Sequence, residues 1–256
     1  MFSFRLSRRL VPVCLFAIAA GCSYPGFVSR RTIEESVPLD AATQTLRCTS
    51  HNGGITITGV PGATEIRMHV ELSVHGFTQD EADANLDLMS IRRESDQGEL
   101  TIEGLYDRDR LSGMSPGFAF VMQVPPALAL LLKSHNGDIH TEATNGRVAL
   151  ETHNGNIHTG ATTNQLDLVS HNGDVVAVVL ADGPTDGAIQ SHNGNVVFEV
   201  SGTPSAAISA RTHNGRIRLD REVSDASVSK RSMSCRIGGG EGRVVLETHN
   251  GDITVR

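Results

Sequence analysis

Seven of the 11 histidines recur in one tetrapeptide, Ser/Thr-His-Asn-Gly, with copies opening at Ser50, Ser134, Thr152, Ser170, Ser191, Thr212 and Thr248. Imidazoles returning at a fixed interval are candidate ligands for Zn²⁺, Cu²⁺ or Ni²⁺. His135, His153, His171, His192 and His213 form that candidate column, and His140 and His158 add to one end of it. No Cys or carboxylate pattern completes a tetrahedral site. An outward turn residue multiplied by duplication accounts for the same histidines, and protonated imidazoles held this close would repel. The position after each Gly (Gly54, Asp138, Asn156, Asp174, Asn195, Arg216, Asp252) suggests calcium. Asp fills only three of those seven places, however, and Arg216 opposes a cation. Turn chemistry explains Asp and Asn there equally well.

Catalysis finds little support. Some β-helices cleave polysaccharides with carboxylates clustered on one face. The outward column two residues before each His is Thr49, Lys133, Glu151, Val169, Gln190, Arg211 and Glu247, which is scattered. Ser134 and Ser170 each adjoin a His, but neighbours on a strand face opposite ways. There is no nucleophile elbow, phosphate loop or metalloprotease helix.

The elements that hold these residues follow from the period. Two residues after each Gly stands Ile or Val: Ile55, Ile139, Ile157, Val175, Val196, Ile217 and Ile253. From His135 the copies are spaced 18, 18, 21, 21 and 36 residues, the last reading as two periods with a degenerate copy near Met233–Ile237. Thr144-Asn145-Gly146 marks the half period, so each unit of about nine residues is a strand and a turn. Val148, Leu150 and Thr152 share one face by alternation, and Ala149, Glu151 and His153 share the other. Asn-Gly supplies a positive-φ turn. An antiparallel meander is one solution. Identity at 18 rather than 9 favours the other, a parallel β-solenoid with coils of about 18–21 residues. In it the Ile/Val column is internal, Asn amides bond up the stack, and Ser/Thr hydroxyls bond the turn backbone. Three-residue insertions around 182–187 and 201–204 bulge from the far edge. Residues 61–126 form an excursion packed beside or capping the first coil. It has strands over Ile66–Val74, Leu100–Ile102 and Phe118–Val124, a short helix over Glu81–Met89 and a polar loop from Asp107 to Gly117.

Composition agrees with a turn-rich β protein: hydrophobic residues are 39%, aromatics 4% with no Trp, and Gly numbers 26. The formal charge of −7 excludes a nucleic-acid partner, which needs a basic footprint. The N-terminus is an address. Arg5, Arg8 and Arg9 precede an apolar run from Leu10 to Ala20, too short to span a bilayer but suited to export. Ala19-Ala20-Gly21-Cys22 resembles a bacterial lipobox, with Ala19 where Leu is usual. That resemblance implies cleavage of 1–21, acylation of Cys22 and a membrane partner through it. Ser23, rather than Asp, implies sorting to the outer membrane. Removing 1–21 takes three Arg and no acid from the −7, leaving −10. Residues 22–35 read as a polar tether and 36–256 as the body. Cys48 and Cys235 fall near opposite ends of the body and are expected to be unpaired.

The body resembles the bacterial "putative adhesin" β-strand-repeat family. The resemblance is carried by Leu46–Gly53, the strand excursion, Val124-Pro125-Pro126, and Lys133–Ile139 with its repeats. It implies a single-stranded, right-handed β-helix in the cell envelope that meets an envelope protein or surface ligand. It implies no catalytic residue and no cofactor. The insistent His before Asn-Gly departs from the family pattern.

Overall fold

A computed structural model describes residues 26–161 and 163–256. The elements in chain order begin with β1 (Phe27–Pro38), β2 (Thr45–Asn52), β3 (Ile55–Gly59), β4 (Glu65–Gly76), α1 (Gln79–Leu86), β5 (Met89–Asp96) and β6 (Glu99–Tyr106). There follow β7 (Gly117–Val124), β8 (Ala129–Asn136), β9 (Ile139–Thr144), β10 (Val148–Asn154), β11 (Ile157–Ala161), β12 (Gln165–Asn172) and β13 (Val175–Pro184). The chain ends with β14 (Asp186–Asn193), β15 (Val196–Asn214), β16 (Ile217–Leu219), β17 (Ser224–Val228), β18 (Ser232–Ile237), β19 (Gly242–Asn250) and β20 (Ile253–Val255).

The protein is all-β with a long, unclosed and mostly parallel sheet. Each His-Asn-Gly corner joins a strand of one stack to a strand of another. The first stack runs β6, β2, β8, β10, β12, β14, β19 and the second half of β15, all parallel. The second runs β7, β3, β9, β11, β13, the first half of β15, β20 and β16, also parallel. A meander is thereby excluded. Asn136 and Asn154, which an up-and-down sheet would place on opposite rims, are directly paired.

The expected faces hold. Val148, Leu150 and Thr152 are buried, while Glu151 and His153 are exposed. The Ile/Val column is buried throughout, with Ile217 at the end of the stack the most accessible at 8%. Burial of these β-branched and leucyl side chains between the two stacks supplies most of the folding drive. Thr141 and Thr159 also point inward, and their hydroxyls bond one another at 2.7 Å.

Several details differ from the sequence reading. Residues 27–35, expected to be tether, belong to β1, which pairs antiparallel with β4 along its whole length. Residues 182–184 and 201–205 do not bulge. They extend β13 and β15 in mutual register, from Leu180↔Ser201 to Pro184↔Ser205. The segment Met233–Ile237 is not a degenerate coil. It lies in β18, antiparallel to both β17 and β15, and the hairpin closes that end of the first stack. Finally, the last coil in sequence is not last in space. β19 lies between β14 and β15, and β20 lies between β15 and β16. A spacing of 36 residues is two periods whether or not a coil fills the middle, so spacing alone cannot order the rungs. Insertion gives the C-terminal strands neighbours on both sides and buries Val244, Leu246, Ile253 and Val255.

The excursion caps the opposite end. β6 and β7 stack on β2 and β3, β4 pairs antiparallel with β7, and β5 with β6. The helix begins two residues earlier than expected, because the Thr78 hydroxyl accepts the Glu81 N–H as its N-cap. It ends at Leu86, and Met89 opens β5.

An imidazole ladder as the candidate functional site

Each corner is built from four positions that bond along the stack. The Ser/Thr hydroxyl donates to the Gly carbonyl one rung away, as in Thr152 to Gly137 (2.9 Å), Ser170 to Gly155 (2.8 Å) and Thr248 to Gly194 (2.7 Å). The Asn amides form a continuous ladder in the order 52, 136, 154, 172, 193, 250, 214, with every bond at 2.7 or 2.8 Å. The position after Gly forms a second ladder. Asp138 Oδ1 accepts the Asn156 N–H, and Asn156, Asp174, Asn195 and Asp252 each accept the next backbone N–H in turn. Those carboxylates are committed to turn backbone, which is the turn-chemistry account of the column rather than the calcium one.

The glycines are required by crowding more than by φ. A Cβ on Gly155 would lie 2.3 Å from the Gly137 carbonyl oxygen, and one on Gly194 would lie 2.1 Å from that of Gly173. The positive φ expected of the Asn-Gly turn is a feature of Gly53 (φ 132°) and Gly173 (φ 157°), while Gly137, Gly155, Gly194, Gly215 and Gly251 reach the corner without it.

The corners put seven exposed imidazoles in one row. The rings stack in the order His51, His135, His153, His171, His192, His249, His213, with centroids 4.6–5.0 Å apart and planes within 8°. Tyr106 closes one end with its ring 6.4 Å from His51, and Arg108 lies 6.0 Å over the Tyr106 ring. Burial, then the neighbouring His135 and Arg108, hold the His51 imidazolium pKa below the usual histidine value. A second, two-membered stack joins His140 and His158 at 5.0 Å on the other sheet. Burial and His140 lower the pKa of His158, against a smaller opposing effect of Glu142.

Beside the long row runs a shallow groove of about 660 Å³, floored by Glu151, Val169, Gln190, Glu247 and Arg211. Lys133 pairs with Glu151 at 2.6 Å, and Glu247 is the cross-strand neighbour of Arg211. Along the stack Glu151 and Glu247 are separated by Val169 and Gln190, three rungs or about 14 Å at the usual interstrand spacing. Paired glycosidase carboxylates lie about 5–9.5 Å apart, so these two cannot act together on one glycosidic bond.

The spacing of the rings does not suit a tetrahedral metal. Two Zn–N bonds of about 2.0–2.1 Å span at most about 4.2 Å, and parallel rings aim their lone pairs side by side rather than at one point. Among the described residues no three His, Cys, Asp or Glu side chains converge on one position. His135, His153, His171, His192 and His213 are thus brought together as a row, not as a chelate. Cys48 and Cys235 are free and buried, and burial pushes both thiols up, away from reactivity. Cys22 and the segment 1–21 lie outside the described residues. The Tyr106–Arg108 end of the row and the place of His249 within it had no signal in the sequence, because both depend on which strand lies beside which.

Three solved structures resemble the chain over most of its length. A "putative cell adhesion protein" from Clostridium sporogenes is 10% identical, with a TM-score of 0.46, covering 88% of this chain and 99% of that one. A "putative adhesin" from Bacteroides fragilis is 16% identical, with a TM-score of 0.37, covering 89% and 98%. A "putative adhesin" from Parabacteroides distasonis is 11% identical, with a TM-score of 0.35, covering 91% and 98%. No curated protein matches the chain. The model of the Toastrack DUF4097 family matches residues 16–256, and the chain with its register-locked corners belongs to that family.

Proposed function

We propose that the protein is a cell-envelope lipoprotein whose solenoid, coiled in the right-handed sense, is a non-catalytic, adhesin-like binding module. One observation carries this reading. Seven imidazoles stand exposed in an unbroken row on a sheet face whose backbone and turns are already satisfied internally. Such a row costs nothing to preorganise when a partner arrives. Its ring nitrogens offer hydrogen bonds at a repeat of about 5 Å to an extended envelope polymer or protein strand. The absence of paired carboxylates along the groove supports a binding rather than a catalytic role. The lipobox at Ala19–Cys22 supports acylation of Cys22, and Ser23 supports outer-membrane residence with the body in the periplasm or at the cell surface.

Two experiments test it. Globomycin treatment or Cys22→Ala should block removal of residues 1–21, and Cys22→Ala should abolish incorporation of labelled palmitate. Unchanged processing and labelling would refute the anchor. For the face, capture from intact envelopes should give partners that are lost when His153 and His171 are both replaced by Ala. Capture that is indifferent to those changes would move the binding surface elsewhere. The metal reading of the row is not favoured by its geometry. Calorimetry on the untagged mature chain should show no Zn²⁺, Cu²⁺ or Ni²⁺ uptake tighter than about 10 µM.

A further inference from the structure

We infer that the capped end of the stack rests on the phospholipid surface through Phe27 and Phe77. The inference builds on the proposed acylation of Cys22, and its geometry comes from β1. β1 begins at Phe27, five residues of sequence after Cys22. Five Cα-to-Cα steps reach about 18 Å at full extension. The polar zone between hydrocarbon and water is itself roughly 5–7 Å deep on each side. An acylated Cys22 therefore holds the start of β1 at or just above the headgroups.

Two of the six exposed large hydrophobic side chains among the described residues fall close together at that point. Phe27 is 51% exposed and Phe77 is 64% exposed, whereas Phe118, Phe120 and Phe198 are each at 1%. The antiparallel register pairs Phe27 with Gly76, so Phe77 follows directly on the residue that Phe27 faces. Phe77 is held where the chain turns into α1, its backbone N–H bonded to Glu81 Oε2 at 2.9 Å. Two phenyl groups, one opening β1 and one just after β4, thus sit at the one corner that the anchor brings to the bilayer. Aromatic side chains favour that interfacial level.

Charge decides the lipid class. Asp80, Glu81 and Asp83 lie on the adjoining helix, while Arg30 and Arg31 are engaged by Glu71 and Asp87. The corner therefore gains nothing from anionic headgroups and seats on zwitterionic lipid by apolar insertion.

The chain contains no Trp, so one introduced Trp reports alone. Phe77→Trp and, independently, Phe27→Trp would be made in the full lipidated chain and reconstituted in phosphatidylcholine vesicles with brominated acyl chains. Val228→Trp, in the hairpin at the other end and 52% exposed, is the control. Emission from either Phe variant should be quenched at least about twofold more than from the control, and blue-shifted. Equal quenching at both ends, in a chain whose acylation is confirmed by mass, overturns the contact and leaves the anchor standing. Failure of acylation removes the anchor and this contact together.

Discussion

Replacing Gly155 by Ala separates crowding from backbone freedom. In an unconstrained turn, Gly→Ala gains about 0.4–1 kcal/mol by restricting the unfolded chain. At Gly155 the added Cβ would lie 2.3 Å from the Gly137 oxygen and 2.6 Å from its carbonyl carbon, so the two rungs must part by about 1 Å. That opening stretches Gly137 N–H to Asn154 O (2.9 Å), Thr152 Oγ1 to Gly137 O (2.9 Å) and the Asn154–Asn136 amide bond (2.7 Å) beyond bonding range. At about 1 kcal/mol net for each bond, less the chain-entropy gain, the loss is about 2 kcal/mol. Gly160, in the same coil, is the control. A Cβ there meets nothing nearer than Glu142 Cγ at 3.7 Å, and Gly160→Ala should stabilise by about 0.5 kcal/mol. Urea titrations of both variants followed by far-UV circular dichroism, with m unchanged, measure the difference. If Gly155→Ala proved as stable as Gly160→Ala, the rungs would not be packed carbonyl against glycine as described.

Other expectations follow from the same packing. Ile157 lies fully buried between Ile139 and Val175, so Ile157→Asp should cost several kcal/mol, whereas His153→Ala should cost under about 0.5 kcal/mol in thermal melts; equal losses would reverse the faces. The rung order is open to cross-linking: Arg218→Cys with Thr254→Cys should form a disulfide, because the two positions are directly paired. Val197→Cys with Arg218→Cys should not, since β20 lies between them and holds their Cα atoms beyond the roughly 7 Å limit. The lowered pKa values of His51 and His158 mean that the fold disfavours their protonation. Their contribution to stability is present above the unfolded value of about 6.5 and is lost as pH falls below it. His51→Gln and His158→Gln should each flatten the acid limb of stability against pH, and an unaltered limb would mean that burial and the neighbouring charges do not disfavour protonation of either ring.

Much of the architecture was legible because period and alternation are local properties. Seven identical corners with an apolar residue two places on can be satisfied only if copies stack, and alternation sends Ile157 inward and His153 outward without knowledge of any neighbour. The Asn and Ser/Thr ladders follow from the same register. Neighbour identity is different, because it depends on contacts that leave no periodic mark. The sequence placed the final corner after a degenerate copy. The structure slides it between His192 and His213, where two flanking strands satisfy β19 and β20 and a hairpin shields the end. β1 escaped notice because Arg30, Arg31, Glu34 and Glu35 make an edge strand look like a polar linker, and only pairing with β4 gives it order. The row of imidazoles shows the same division: composition supplied the rings, and the rung spacing decided that they stack face to face instead of converging on a metal.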